Sequence, residues 1–264
     1  MLRSRITPCL LVHNKGLVKT VGFKDPKYVG DPINAVKIFN EKEVDELMVL
    51  DIDASVEGRG PDFELIRNLA VECRMPFCYG GGVTTVEEAK KIINLGAEKV
   101  ALSSAAIENF DILFQIGQAV GIQSVVVVLD VKKKGLLGGY EIFIHNGKKA
   151  TGIKVKEFVK RLDKIGVGEI VINSIDRDGK MEGYDFSLID MVREITEVPI
   201  TVLGGAGSMD DIRALIAKYK IIGAAAGSLF VFKGKYRAVL ISYPNSLEKK
   251  SLYQLANEAN NPIL

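Results

Sequence analysis

Short apolar runs alternate with amphipathic stretches along the whole chain, and this alternation limits the possible folds more than any single motif. The apolar runs are "RITPCLLV" (5–12), "LMVLDID" (47–53), "PFCYG" (76–80), "KVALSS" (99–104), "SVVVVLDV" (124–131), "EIVINS" (169–174), "PITVL" (199–203) and "IIGAAA" (221–226). They are near-continuous, as expected of parallel strands covered on both faces. Between them lie stretches such as "DPINAVKIFNEKEV", "DFELIRNLAVEC", "TVEEAKKIINLG" and "VKEFVKRLDKIG". Their apolar residues fall three and four apart, and two of them end in Gly, a helix C-cap signal. Eight strand–helix units in 264 residues predict a (β/α)8 barrel. A doubly wound open sheet is the alternative, but it usually carries fewer strands, and no GxGxxG follows the first run.

The two halves of the chain also resemble each other at a shift near 123 residues. "IDASVEGRGPDFELI" (52–66) lines up with "IDRDGKMEGYDFSLI" (175–189), and "YGGGVTTVEE" (79–88) with "LGGAGSMDD" (203–211). Two similar half-barrels explain this, and they place two equivalent ligand sites on one rim. Residues 1–264 are expected to form one barrel domain, with a tail from 233 to 264 that breaks the pattern. In the tail, "RAVLISYP" reads as strand-like or irregular, and "SLEKKSLYQLANE" as a helix capped by Ser246.

Composition excludes several function classes. The net charge is +2, with no basic block longer than "KKK" at 132–134, which reads as a solvated loop beside "GLLGG". Nucleic acid is therefore not an expected partner. No window approaches eighteen apolar residues, so no membrane span is expected. The apolar start is too short for a signal peptide and lacks a small-residue cleavage site. Cys9, Cys73 and Cys78 form no CxxC pair and read as free thiols in a reducing cytoplasm. His13 and His145 lie in loops without ligand-spaced partners, so neither a metal site nor a cofactor is expected.

The candidate chemistry lies at the C-terminal ends of the strands, where barrel active sites sit. Gly80-Gly81-Gly82 and Gly204-Gly205-Ala206-Gly207 each follow a strand, and glycine lets backbone N–H groups approach an anion. One strand later come Ser103-Ser104 and Gly227-Ser228. Two such turns at equivalent positions favour a bisphosphorylated ligand over simple tight turns. Asp178 and Gly179, in the loop "RDGKMEG" (177–183), could close over the second phosphate. Asp130 follows four valines and a leucine, a costly place for an unpaired charge. Asp51 ends the second run and either takes part in the chemistry or holds a neighbouring loop. Lys19 sits in a long loop (13–30) that could close over a substrate.

Longer strings then carry a family resemblance from residue 3 to about 232. "CLLV" with the "VK" that follows, "DPINAV" (31–36), "GGGV" (80–83), "VVVVLDVK" (125–132), "GKKATG" (147–152), "SIDRDGKMEGYD" (174–185), "GGAG" (204–207) and "GSLFVF" (227–232) resemble the cyclase subunit of imidazole glycerol phosphate synthase. The resemblance implies a glutaminase partner in a heterodimer, whose ammonia crosses the barrel to a phosphorylated small-molecule acceptor. It implies phosphate contacts at Gly82, Ser103, Ser104, Asp178, Gly179, Gly205, Gly227 and Ser228. Ser103 departs from the asparagine usual there. It also implies an ammonia gate of Arg5, Glu46, Lys99 and Glu169 at the opposite mouth. Arg5 and Leu11 share strand parity, as do Lys99 and Ser103, and Glu169 and Asn173.

One position breaks the family pattern. Leu11 stands where the family carries the aspartate that works with Asp130 as an acid/base pair. Within this chain, "LLV" (10–12) likewise aligns with "LDV" (129–131). Leucine transfers no protons, and losing such a group commonly costs about 10²–10⁴-fold in rate. Four functions follow: a cyclase of histidine biosynthesis; a paralogue supplying ammonia for amidination of a surface sugar, working beside an ATP-dependent sugar amidotransferase; a non-catalytic conduit or scaffold; and the related aminoimidazole-carboxamide isomerase. Gate kept and acid lost is the pattern of the second.

Overall fold

The computed structural model describes residues 4–135 and 139–258. Eight parallel strands close into a barrel: β1 (Arg5–His13), β2 (Leu47–Asp51), β3 (Phe77–Gly80), β4 (Lys99–Leu102), β5 (Val125–Lys133), β6 (Glu169–Ser174), β7 (Ile200–Leu203) and β8 (Gly223–Ala226). Each pairs with the next, and β8 returns to β1 with Arg5 opposite Gly223 and Pro8 opposite Ala226. Helices α1 (Pro32–Glu41), α2 (Phe63–Glu72), α3 (Val86–Asn94), α4 (Asp111–Val120), α5 (Val155–Ile165), α6 (Phe186–Arg193), α7 (Met209–Tyr219) and α8 (Ser246–Glu258) follow strands in turn. The chain is a (β/α)8 barrel. No helix among the described residues is long and apolar enough to cross a membrane.

Strand parity sorts side chains into two cores. Ile6, Leu10, Val12, Val127, Leu129 and Ile172 face the helices and are fully or nearly fully buried with them. Cys9, Met48, Cys78, Ala101, Val126, Val128, Val171, Leu203 and Ala225 form a separate cluster inside the barrel, with Leu11 and Leu50 packed on it. Adjacent leucines thus have unrelated tasks: Leu10 seals β1 against the helices, and Leu11 lines the interior.

Helix starts repeat the half-barrel symmetry in atomic detail. The Thr85 side chain accepts from Glu88 N and the Glu88 side chain reaches back to the cap, and Ser208 and Asp211 do the same for α7. Asp62 and Asp185 cap α2 and α6 by accepting from Leu65 N and Leu188 N. Each such cap contributes about 1 kcal/mol.

The structure departs from the sequence expectations in five places. The strand expected over 47–53 stops at Asp51, because 54–57 turn into a short helix; that expected over 99–104 stops at Leu102, because Ser104 opens another (Ser104–Glu108). Residues 13–30 form an antiparallel hairpin, Gly16–Val21 with Lys24–Gly30. Lys132 and Lys133 extend β5 and pair with Tyr140–Ile144, and Lys134 bonds Glu141 at 2.7 Å; Leu136, Leu137 and Gly138 of "GLLGG" lie outside the described residues. The tail helix is capped by Asn245, whose side chain accepts from Leu247 N and Glu248 N, rather than by Ser246.

Candidate functional site

The C-terminal ends of the strands surround a cavity of about 550 Å³. Its lining includes Leu11, Lys19, Asp51, Gly82, Ser103, Ser104, Asp130, Asp178, Gly179, Gly205, Gly227 and Ser228. Of the rim residues singled out from the sequence, all but Gly207 reach this one cavity.

Asp130 sits on its floor, 9% exposed. Burial pushes its carboxyl up to about 7, against the Nδ2–H of Asn173, which donates to it at 2.9 Å. The residue directly opposite Asp130 in the β5–β6 register is Asn173. The corresponding pair in the other half-barrel, on β1 and β2, is Leu11 opposite Leu50. The floor is divided: one half carries a hydrogen-bonded carboxylate and amide, the other two leucines.

Asp51 accepts from four donors. Arg59 grips it through Nη1 at 2.8 Å and Nη2 at 3.0 Å, and the N–H groups of Asp53 and Ala54 donate to it at 3.0 and 3.2 Å. It holds the loop after β2. Lys19 is buried rather than solvated; its Nζ donates to the Cys9 carbonyl at 2.6 Å, and burial lowers its pKa. Asp178 clasps the hairpin, accepting from Thr20 Oγ1 at 2.7 Å and Phe23 N at 3.1 Å, and burial raises its pKa. Ser104 Oγ accepts from His145 N at 3.0 Å.

Two glycines have a packing reason that needs no ligand. Gly179 adopts φ +65°, and a Cβ there would stand 2.0 Å from the Thr20 carbonyl. Gly205, at φ +112°, would strike the Gly183 carbonyl at 2.2 Å. A phosphate role for these turns thus rests on their place around the cavity, not on their being glycine.

At the opposite mouth Arg5, Glu46, Lys99 and Glu169 form one closed ion cluster. Lys99 Nζ lies 2.5 Å from Glu46 and 2.7 Å from Glu169. Arg5 lies 3.3 Å from Glu46 and 3.2 Å from Glu169. Thr201 Oγ1 donates to Glu169. Burial and then Glu169 push the Glu46 carboxyl up. Burial also opposes charge on Glu169, but Lys99 and Arg5 overcome it and hold its pKa down. Two cations and two carboxylates leave the ring neutral.

Sequence reasoning overlooked Asn173 as a partner of Asp130, Arg59 as the clamp on Asp51, and Asp53 as the partner of His13 at 2.7 Å. Asn173 had a signal, because it shares inward parity with Glu169. The pairings of Arg59 and Asp53 bridge loops and had none.

The family model described as "Histidine biosynthesis protein" matches residues 5–237. The chain belongs to this family. It is 57% identical over 255 residues to the "Putative imidazole glycerol phosphate synthase subunit hisF3" of Vibrio vulnificus, covering 97% of this chain and 98% of that one. It is 51% identical to the "Putative imidazole glycerol phosphate synthase subunit hisF2" of Pseudomonas aeruginosa, over 93% and 97% of the two chains. With the "Imidazole glycerol phosphate synthase subunit HisF" of Natranaerobius thermophilus the identity is 39%, over 88% and 92%. Within the family the chain is of the HisF cyclase-subunit type.

Proposed function

We propose that this protein is the synthase subunit of a cytoplasmic glutamine amidotransferase, and a paralogue of the histidine-pathway cyclase rather than that cyclase itself. A glutaminase docks at the mouth bearing Arg5, Glu46, Lys99 and Glu169. Ammonia enters past this ring, crosses the apolar interior and emerges at the rim cavity. There Gly82, Ser103 and Ser104 on one side, and Gly179, Gly205, Gly227 and Ser228 on the other, receive a phosphorylated acceptor. Lys19 brings positive charge to it, Asp51 and Asp178 hold the surrounding loops, and Asp130 handles the proton. The end use is amidination of a surface sugar, with an ATP-dependent sugar amidotransferase as the further partner.

The divided floor carries this reading. Ring closure to an imidazole requires one group to donate a proton while another accepts one. Leu11 and Leu50 offer neither, and Asp130 with Asn173 offers one titrating group. A single carboxylate suits delivery or addition of ammonia, which moves one proton at a time. The competing reading, a working histidine-pathway cyclase, draws on the Asp130 carboxyl at about 7, which can give and take a proton near neutrality.

The deciding measurement is conversion of the histidine-pathway bisphosphate with ammonium salts, by the native protein and by Leu11→Asp. Delivery predicts no turnover from the native chain and some from Leu11→Asp. Ordinary turnover by the native chain would overturn it. Failure to co-purify with any glutaminase would remove the role given to the ring.

A further inference from the structure

The hairpin after β5 pairs Tyr140–Ile144 with Lys149–Lys154, and His145 at its tip lines the rim cavity. Asn146 and Gly147 make the turn at φ +54° and +70°, which an Asn-Gly pair adopts readily. His145 is left-handed as well, at φ +53°, where a residue with a Cβ is uncommon. Contacts on three sides fix it there. Its backbone N–H donates to Ser104 Oγ at 3.0 Å, its Nδ1 lies 3.0 Å from the Ser55 carbonyl, and its Nε2 lies 3.2 Å from a carboxylate oxygen of Glu108. Both ring partners are acceptors only. A neutral imidazole has one N–H to give, so the two contacts are filled together by the imidazolium form.

The other half-barrel repeats this arrangement with a different cation. The hairpin after β1 carries Lys19, whose Nζ would lie 2.7 Å from a Cβ on Gly227, in the second of the two proposed phosphate cradles. Asp178 fastens that hairpin to the loop after β6. His145 fastens the hairpin after β5 to the loop after β2, the half-barrel equivalent. The two tips meet over the cavity, where a Cβ on Gly147 would stand 2.9 Å from the Phe23 ring. Each hairpin thus brings one basic side chain to one cradle: Lys19 to Gly227, and His145 to Ser104. The charged groups around His145 are Glu108, from the helix after β4, and Lys149 on its own hairpin, 3.8 Å from the same carboxylate. Arg59 of the loop after β2 is engaged by Asp51 and Glu57, and Glu88 of α3 by the N–H groups of Thr84 and Thr85.

We propose that His145 is the cation of the first cradle, where it binds a phosphate group of the acceptor and takes up a proton as it does so. The anion takes the Nε2–H from Glu108, whose half-exposed carboxylate turns to Lys149 and water. The inference rests on the reading of the rim cavity as a phosphate site and gives that site a pH-dependent contact.

The chain has two histidines, His13 and His145, so the imidazole NMR signals of the full-length protein are two, and His145→Asn assigns them. Asparagine accepts the left-handed backbone and is neutral at every pH. Sulfate, which does not titrate in this range, is the probe, with chloride at equal ionic strength as its control. Titrations run from pH 5 to 8, where imidazoles change charge. Sulfate is expected to move the midpoint of the His145 signal upward and to leave that of His13 in place. By calorimetry, the native protein should bind sulfate about fivefold more tightly than His145→Asn at pH 5, the worth of one hydrogen bond. The gap should close by pH 8, as the imidazole loses its proton. Asp130 titrates in the same cavity but is present in both proteins, so the comparison cancels it. Equal His145 midpoints in the two salts overturn the proposal, and so does an affinity gap that is absent or constant with pH. If His145→Asn does not fold, His13→Asn supplies the assignment and the salt comparison decides. Sulfate binding that leaves His145 unmoved removes this residue and keeps the cradles; no sulfate binding by either protein removes both. Neither outcome depends on ammonia delivery.

Discussion

Asp130 is the residue whose environment makes the sharpest demand. Its folded-state carboxyl titrates at about 7 because burial penalises the charge, while an unfolded aspartate titrates at about 3.9. Folding therefore favours the protonated form. The stability linked to this group is fully present below about pH 3.9 and is lost as pH rises through about 7. Asp130→Asn, neutral at every pH, should gain melting temperature relative to the native protein as pH is raised from 4 to 8. Thermal melts across that range check it, and a difference independent of pH would mean that folding leaves the carboxyl's pKa near its unfolded value. At this scale the sequence was legible where a residue's own type carried the information. An acid after five apolar residues announced itself, and Leu11 stood out against both its family and its half-barrel counterpart. Asp51 did not reveal its role, because four donors, from Arg59 and the backbone of 53 and 54, converge on it only in three dimensions.

Among the elements, the eight barrel strands were legible to within two or three residues at their ends, because each is apolar on both faces and carries its signal locally. The hairpin of residues 16–30 was not. Its second strand, "KDPKYVG", is mostly exposed and has no apolar periodicity; it exists because it pairs with Gly16–Val21. That hairpin is tied to the loop after β6 chiefly through Asp178, whose carboxylate takes the Thr20 hydroxyl and the Phe23 N–H, and whose carbonyl takes Gly22 N–H. Asp178→Asn should weaken the two carboxylate contacts, loosening the hairpin by about 1–2 kcal/mol while leaving the barrel intact. Hydrogen exchange at Val18 to Val21 should rise, with unchanged protection in β5 and β6. Unchanged exchange in the hairpin would show that its strand pairing alone holds it.

Across the whole molecule, the ring ties together β1, β4, β6 and the residue that precedes β2. Lys99 is its centre, touching both carboxylates. Lys99→Met leaves Glu46 and Glu169 facing each other with Arg5 as their remaining cation partner in the ring. Breaking a buried ion cluster this way costs about 3–5 kcal/mol. The loss should be smaller at pH 4 than at pH 8, since a proton on Glu46 removes the repulsion; urea unfolding at both pH values measures it. An equal loss at the two values would mean that packing of the lysine chain, not charge, is what the ring supplies.

The tail reaches the same mouth. Tyr243 donates to the Ile6 carbonyl at 2.8 Å, and Lys249 donates to Asp45 at 3.0 Å, one residue before Glu46 of the ring. Asp45 in turn accepts from Ile6 N. The first strand of the barrel is therefore fastened by β8 and by the tail together. A chain cut at residue 242 loses the Tyr243 and Lys249 contacts, yet keeps every residue that lines the rim cavity. Truncation there unfastens one mouth of the barrel and spares the other.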